Sequence, residues 1–169
     1  MDKEIKNCWE LALKVLKPSK KELEKGLKIH RDSVVFDAYS FSPVSSFKSE
    51  IIKKIIEEGA TSTEIQDLRE DMMQTFHILD EKERNFYFKA WETSGVTCIM
   101  QNAGEESNLV EIIIKRLARF TYITDIFKPR IRKVVSPEEV IKAKKENAHC
   151  LCFSANGVPL THHFLSVED

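Results

Sequence analysis

The chain has 169 residues, enough for one domain with a sizeable core. Hydrophobic residues make up 42% and charged residues 31%, a balance that points to a soluble globular protein, and a formal net charge of -1 gives no global pull towards nucleic acid or an anionic membrane surface. No apolar run approaches the roughly 20 residues that cross a bilayer, and the start Met-Asp-Lys-Glu-Ile-Lys-Asn is mixed in charge rather than an export signal, so a cytoplasmic protein is expected.

Two helices lead. Ile5, Cys8, Trp9, Ala12, Val15 and Leu16 recur at helical spacing, and Pro18 stops that helix. Ser19-Lys20-Lys21-Glu22 is a capping box that starts the second, which carries Leu23, Leu27 and His30. Val34-Val35-Phe36 reads as a short buried strand. Phe47, Ile51, Ile52, Ile55 and Ile56 form a helical stripe closed by Gly59. Thr61-Ser62-Thr63-Glu64 is a second capping box, ahead of Ile65, Leu68, Met72, Phe76 and Leu79 on one helix side. Asp80 caps a further helix bearing Phe86, Tyr87, Ala90 and Trp91, and Gly95 ends it.

Val96-Thr97-Cys98-Ile99-Met100 is the second strand, with Gln101 to Glu106 as its exit loop. Leu109, Ile113, Leu117 and Phe120 mark the next helix. The basic cluster Lys128 to Lys133 reads as a surface turn, too short to imply nucleic acid. Ser136-Pro137-Glu138-Glu139 combines cap, first-turn proline and box glutamate, so a helix starts there and runs to about Asn147. Cys150-Leu151-Cys152-Phe153 is the third strand, and Asn156-Gly157 is a turn. Strands alternating with helices imply an α/β fold with a mainly parallel sheet. Ser166-Val167-Glu168-Asp169 looks like a helix cap with no helix after it, so a cut sequence and an unfinished sheet with an exposed edge are expected.

Four cysteines occur: Cys8, Cys98, Cys150 and Cys152. All are read as reduced, the last three as small hydrophobes in strands. A Cys-x-Cys zinc site is the sharper alternative. Cys150 and Cys152 share a strand face while His149 points away, and no second pair has finger spacing.

The run His30-Arg31-Asp32-Ser33-Val34-Val35-Phe36-Asp37, the helices before it, Gly95-Val96-Thr97, the Lys142-Ala143-Lys144-Lys145 helix and Asn156-Gly157-Val158-Pro159-Leu160 together resemble the N-terminal part of the membrane (renal) dipeptidase family. The resemblance implies the first three strand-helix units of an amidohydrolase-type (β/α)8 barrel, with added N-terminal helices, in one dipeptidase-like domain spanning residues 1–169. A full barrel takes about 250 residues. In that family the first strand ends in Asp-Gly-His-Asn-Asp-Leu-Pro, and His-x-Asp grips a metal because residues two apart on an extended chain point the same way. Here the framing residues are Asp37 and Pro43, but the ligand positions hold Tyr39 and Phe41. Tyrosine, with an unperturbed pKa of about 10, is a poor zinc ligand near neutral pH, and phenylalanine cannot ligate. The bridging Glu of the third strand falls on Ala155. The family's zinc is therefore not expected in this chain.

Barrel ligands sit beyond the carboxyl ends of strands. The predicted pocket rim is Asp37, Tyr39, Phe41, Gln101, Asn102, Ala155 and Asn156. Asp37, Glu105 and Glu106 are candidate acid/base groups. The plainer reading makes Glu105-Glu106 a solvated helix start and lets Asp37 satisfy backbone donors. Tyr39 and Phe41 are expected to fill the space a metal would take, and His162-His163 to serve in a loop. Three functions stay open: a dipeptidase-like protein without the usual metal site, a non-catalytic module that binds a small peptide or small molecule or assembles through its sheet edge, and hydrolysis through different residues.

Overall fold

The computed structural model describes residues 3–104 and 109–156. Glu105, Glu106, His162 and His163 lie outside the described residues. Contacts divide the chain into two units, Met1–Ser33 and Val34–Asp169.

The first unit is a helical hairpin, α1 (Lys3–Leu16) and α2 (Lys20–Asp32). Trp9, Ala12, Leu13 and Leu16 face Leu23 and Leu27 across an apolar seam. The predicted capping box is present: the Ser19 amide donates to the Glu22 carboxylate at 2.8 Å, and the Glu22 amide donates back to the Ser19 hydroxyl at 3.3 Å. Two otherwise orphaned helix-end donors are thereby satisfied.

The second unit holds β1 (Phe36–Ser40), α3 (Ser49–Glu57), α4 (Ser62–Leu79), α5 (Glu81–Ser94), β2 (Cys98–Asn102), α6 (Val110–Ile126), β3 (Ile131–Lys133), α7 (Pro137–Lys145) and β4 (His149–Ser154). Every predicted helix is present. Capping boxes start α4 at Thr61 and α7 at Ser136, and Asp80 caps α5. Gly95 adopts φ 67°, a left-handed conformation that glycine tolerates, and its amide donates to the Trp91 carbonyl at 3.2 Å to end α5.

The strands are all parallel, in the order β1-β2-β4-β3. Three expectations need correction. The first strand is not the buried run Val34–Phe36. It begins at Phe36, and Val34 and Phe36 are 43% and 42% exposed, because β1 is an edge strand. The second strand likewise sits two residues later than predicted, so Gln101 and Asn102 belong to the strand rather than its exit loop. The basic cluster is not merely a surface turn: Ile131–Lys133 pair with His149–Leu151, and Ile131 is fully buried. Three residues are too few for an alternating pattern to show.

Register assigns the two faces. Ile99, Leu151 and Ile131 pack with Tyr87, Phe88 and Trp91 of α5 and with Phe120 and Ile123 of α6. Their strand neighbours Cys98 and Cys150 point the other way and pack with Val140 and Ala143 of α7. Helices therefore cover both faces. Strand order explains this: β1 to β2 to β3 advances across the sheet, whereas β3 to β4 steps back. A right-handed crossover that reverses direction places its helix on the opposite face.

Candidate functional site

In an open parallel sheet, ligands meet the carboxyl ends of the strands. Here those ends belong to β1, β2 and β4, and they bring most of the predicted rim together. Tyr39, Phe41, Gln101, Asn102, Ala155 and Asn156 occupy or directly follow them, whereas Asp37 is the second residue of β1.

Gln101 is buried, and its side-chain carbonyl accepts the Ser42 amide at 2.6 Å. Asn102 is buried too and accepts the Gly104 amide at 3.0 Å. The Asp37 carboxylate accepts the Tyr39 amide at 3.2 Å, so it does satisfy a backbone donor. The Asn156 amide group donates to the Tyr39 hydroxyl at 2.9 Å, a bridge from the end of β1 to the turn after β4. Tyr39 and Phe41 do not fill a cavity as expected: they are 65% and 62% exposed.

Register in β1 is irregular. Asp37 pairs with Ile99 and Ser40 with Gln101, three steps on β1 against two on β2. One extra residue lies between them, and such a bulge breaks the two-residue alternation on which a His-x-Asp type of grip depends. Among the described residues, no group of three or more His, Cys, Asp or Glu side chains is arranged to hold a metal ion.

Two features escaped the sequence reading. The first is a groove of about 480 Å³ on the sheet face that α7 only partly covers. Val34, Phe36, Val134, Pro137, Val140 and Cys152 are among the residues that line it. The available sequence signal is the apolar Val134-Val135 pair ahead of the α7 cap.

The second is a buried pair, Ser45 Oγ to His77 Nδ1 at 2.9 Å. The His77 ring stacks on Tyr87 with centroids 4.1 Å apart. Burial pushes the His77 pKa down to about 4 and the Tyr87 pKa up to about 12. The Ser45 amide is tied to the Met73 carbonyl at 2.8 Å, which fixes the strap after β1 over this pair. Ser45 and His77 are 32 residues apart, and no motif links them.

No family model, no curated protein and no solved structure matches the chain.

Proposed function

We propose that this chain is a non-catalytic small-molecule-binding module, and that its ligand is a compact apolar molecule held in the groove between β1 and α7. The observation that carries this reading is the groove itself. Its volume of about 480 Å³ lies within the range of small-molecule sites. Eight of its nine lining residues present hydrocarbon or sulfur, and Ser136 is the exception. Burying that surface under an apolar ligand is favourable at roughly 25 cal/mol per Å². At the strand ends, the polar tips of Gln101, Asn102 and Asn156 are already engaged with the chain itself.

The fluorescent probe 1-anilinonaphthalene-8-sulfonate tests the reading. One saturable site per chain is expected, lost in Cys152→Phe, which fills the groove floor, with the circular dichroism spectrum unchanged. Unsaturable binding, or binding indifferent to that substitution in a folded variant, would sink it.

A second reading is favoured by one contact. The Tyr39–Asn156 hydrogen bond joins the ends of β1 and β4, two of the three strand ends at which the dipeptidase resemblance places its site. On that reading the chain is a divergent dipeptidase-like protein, and β1, β2 and β4 correspond to three consecutive strands of a partial barrel. β3 at the outer edge of β4 and α7 on the second face are departures from that pattern. Dipeptide titration separates the two readings. Saturable dipeptide binding weakened by Asn156→Ala would support the dipeptidase-like protein and is not expected of the apolar groove, whereas stoichiometric zinc binding would count against a dipeptidase-like protein without the usual metal site.

A further inference from the structure

We propose that Cys98 and Cys150 form a reversible dithiol–disulfide couple that a small peroxide oxidises. Cys98 of β2 is the direct register partner of Cys150 of β4. Adjacent strands lie about 4.8 Å apart, and a disulfide needs a Cα separation of about 4.4–6.8 Å. Both side chains leave the sheet on the same face, where they pack in one cluster with Val140 and Ala143 of α7. Both are free thiols and both are fully buried.

The surroundings give the two thiols different roles. The two thiols interact, which lowers the pKa of Cys150 and raises that of Cys98, whose own thiol donates to the Ile99 carbonyl at 3.9 Å. Arg132, the register partner of Cys150 on its other side, adds positive charge and lowers it further. A thiolate is the nucleophile in such chemistry, so Cys150 attacks and Cys98 resolves. Cys150 sulfur takes one peroxide oxygen, forming a sulfenic acid and releasing water. Cys98 sulfur then displaces that oxygen as a second water, leaving the S–S bond. Two thiols and one hydrogen peroxide give one disulfide and two waters.

Cys152 lies two residues further along the same face and lines the open groove, which marks the side from which the peroxide approaches. Its own register partner is Met100, not a thiol, so pairing selects Cys98 with Cys150.

The test uses the full chain carrying Cys8→Ser and Cys152→Ser, so that only the proposed pair of the four cysteines remains. After hydrogen peroxide treatment, denaturation and alkylation, both thiols should be blocked and the unalkylated mass should fall by two hydrogens. Peptide mapping should join the segments around Cys98 and Cys150, and dithiothreitol should restore both thiols. Oxidation should also raise the thermal midpoint, because a cross-link between distant residues restricts the unfolded chain. In the unsubstituted chain the same pair should be joined. Thiols that stay free, mass gains of oxygen on single cysteines, or a Cys150–Cys152 bond in the unsubstituted chain would each overturn the proposal.

Discussion

His77 ties the stability of the protein to pH. Its imidazole is buried against Tyr87 and held neutral, with a pKa of about 4 in the folded chain. In the unfolded chain the value is about 6.5. Between those two values the unfolded state binds more protons, so stability is full above about pH 6.5 and declines as pH falls towards 4. From these pKa values, pH 5 should cost about 2 kcal/mol relative to pH 7. Burial lowers the pKa of His149 as well, which acts in the same direction. Urea unfolding at the two pH values measures the loss, and His77→Gln, which cannot protonate, should flatten it. An unchanged slope in that variant would show that other groups carry the pH dependence. Nothing near His77 in sequence announces this role, because Ser45 and Tyr87 reach it only through the folded chain.

At the scale of elements, α4 and α6 are joined by an ionic clasp. Arg119 of α6 reaches Asp67 at 2.9 Å, Asp71 at 3.2 Å and Glu70 at 3.5 Å. Arg116 holds both Glu70 oxygens, at 2.6 and 2.8 Å. Hydrogen bonding from Arg116 lowers the Glu70 pKa, and hydrogen bonding from Lys115 lowers that of Asp67. Arg119 is nearly buried, so Arg119→Ala removes the centre of the clasp and leaves Asp71 without its cation, while Arg116 and Lys115 still hold Glu70 and Asp67. We expect a loss of about 2 kcal/mol in urea unfolding, from the lost charge-assisted hydrogen bonds. Lys53→Ala breaks only an exposed pair with Glu57 and should change stability by no more than about 0.5 kcal/mol. Equal effects from the two substitutions would refute the clasp. The helices themselves were legible in advance, since caps and apolar stripes act over a few residues. Their clasp was not, because charges 48 residues apart look like ordinary surface residues on paper.

For the whole molecule, the decisive feature is the reversal of strand order at β3. It sends α7 to the second face of the sheet, over Cys98 and Cys150, where Phe36 of β1 lines the groove beside it. The groove is the consequence: one helix covers part of a face that is apolar across more of its width. The buried dithiol sits beneath the same helix. Strand β3 was invisible in sequence because three residues inside a basic run carry no periodicity, although Ile131 anchors it in the core. The candidate rim was legible where it depended on strand ends. The register shift between Asp37 and Ser40 was not legible, because a bulge depends on the partner strand.

The amino-acid sequence alone determined the α/β class, the seven helices of the described residues, three of them opened by capping boxes, and the approximate places of three strands. Each of these rests on interactions within a few residues, so order along the chain carries the information. Only the tertiary structure decided the strand order, the fourth strand, the groove, the Ser45–His77 pair and the pairing of Cys98 with Cys150. Those depend on partners distant in the chain, such as Phe36 with Cys98, Ser45 with His77 and Cys98 with Cys150, and local pattern does not encode which distant residues will meet.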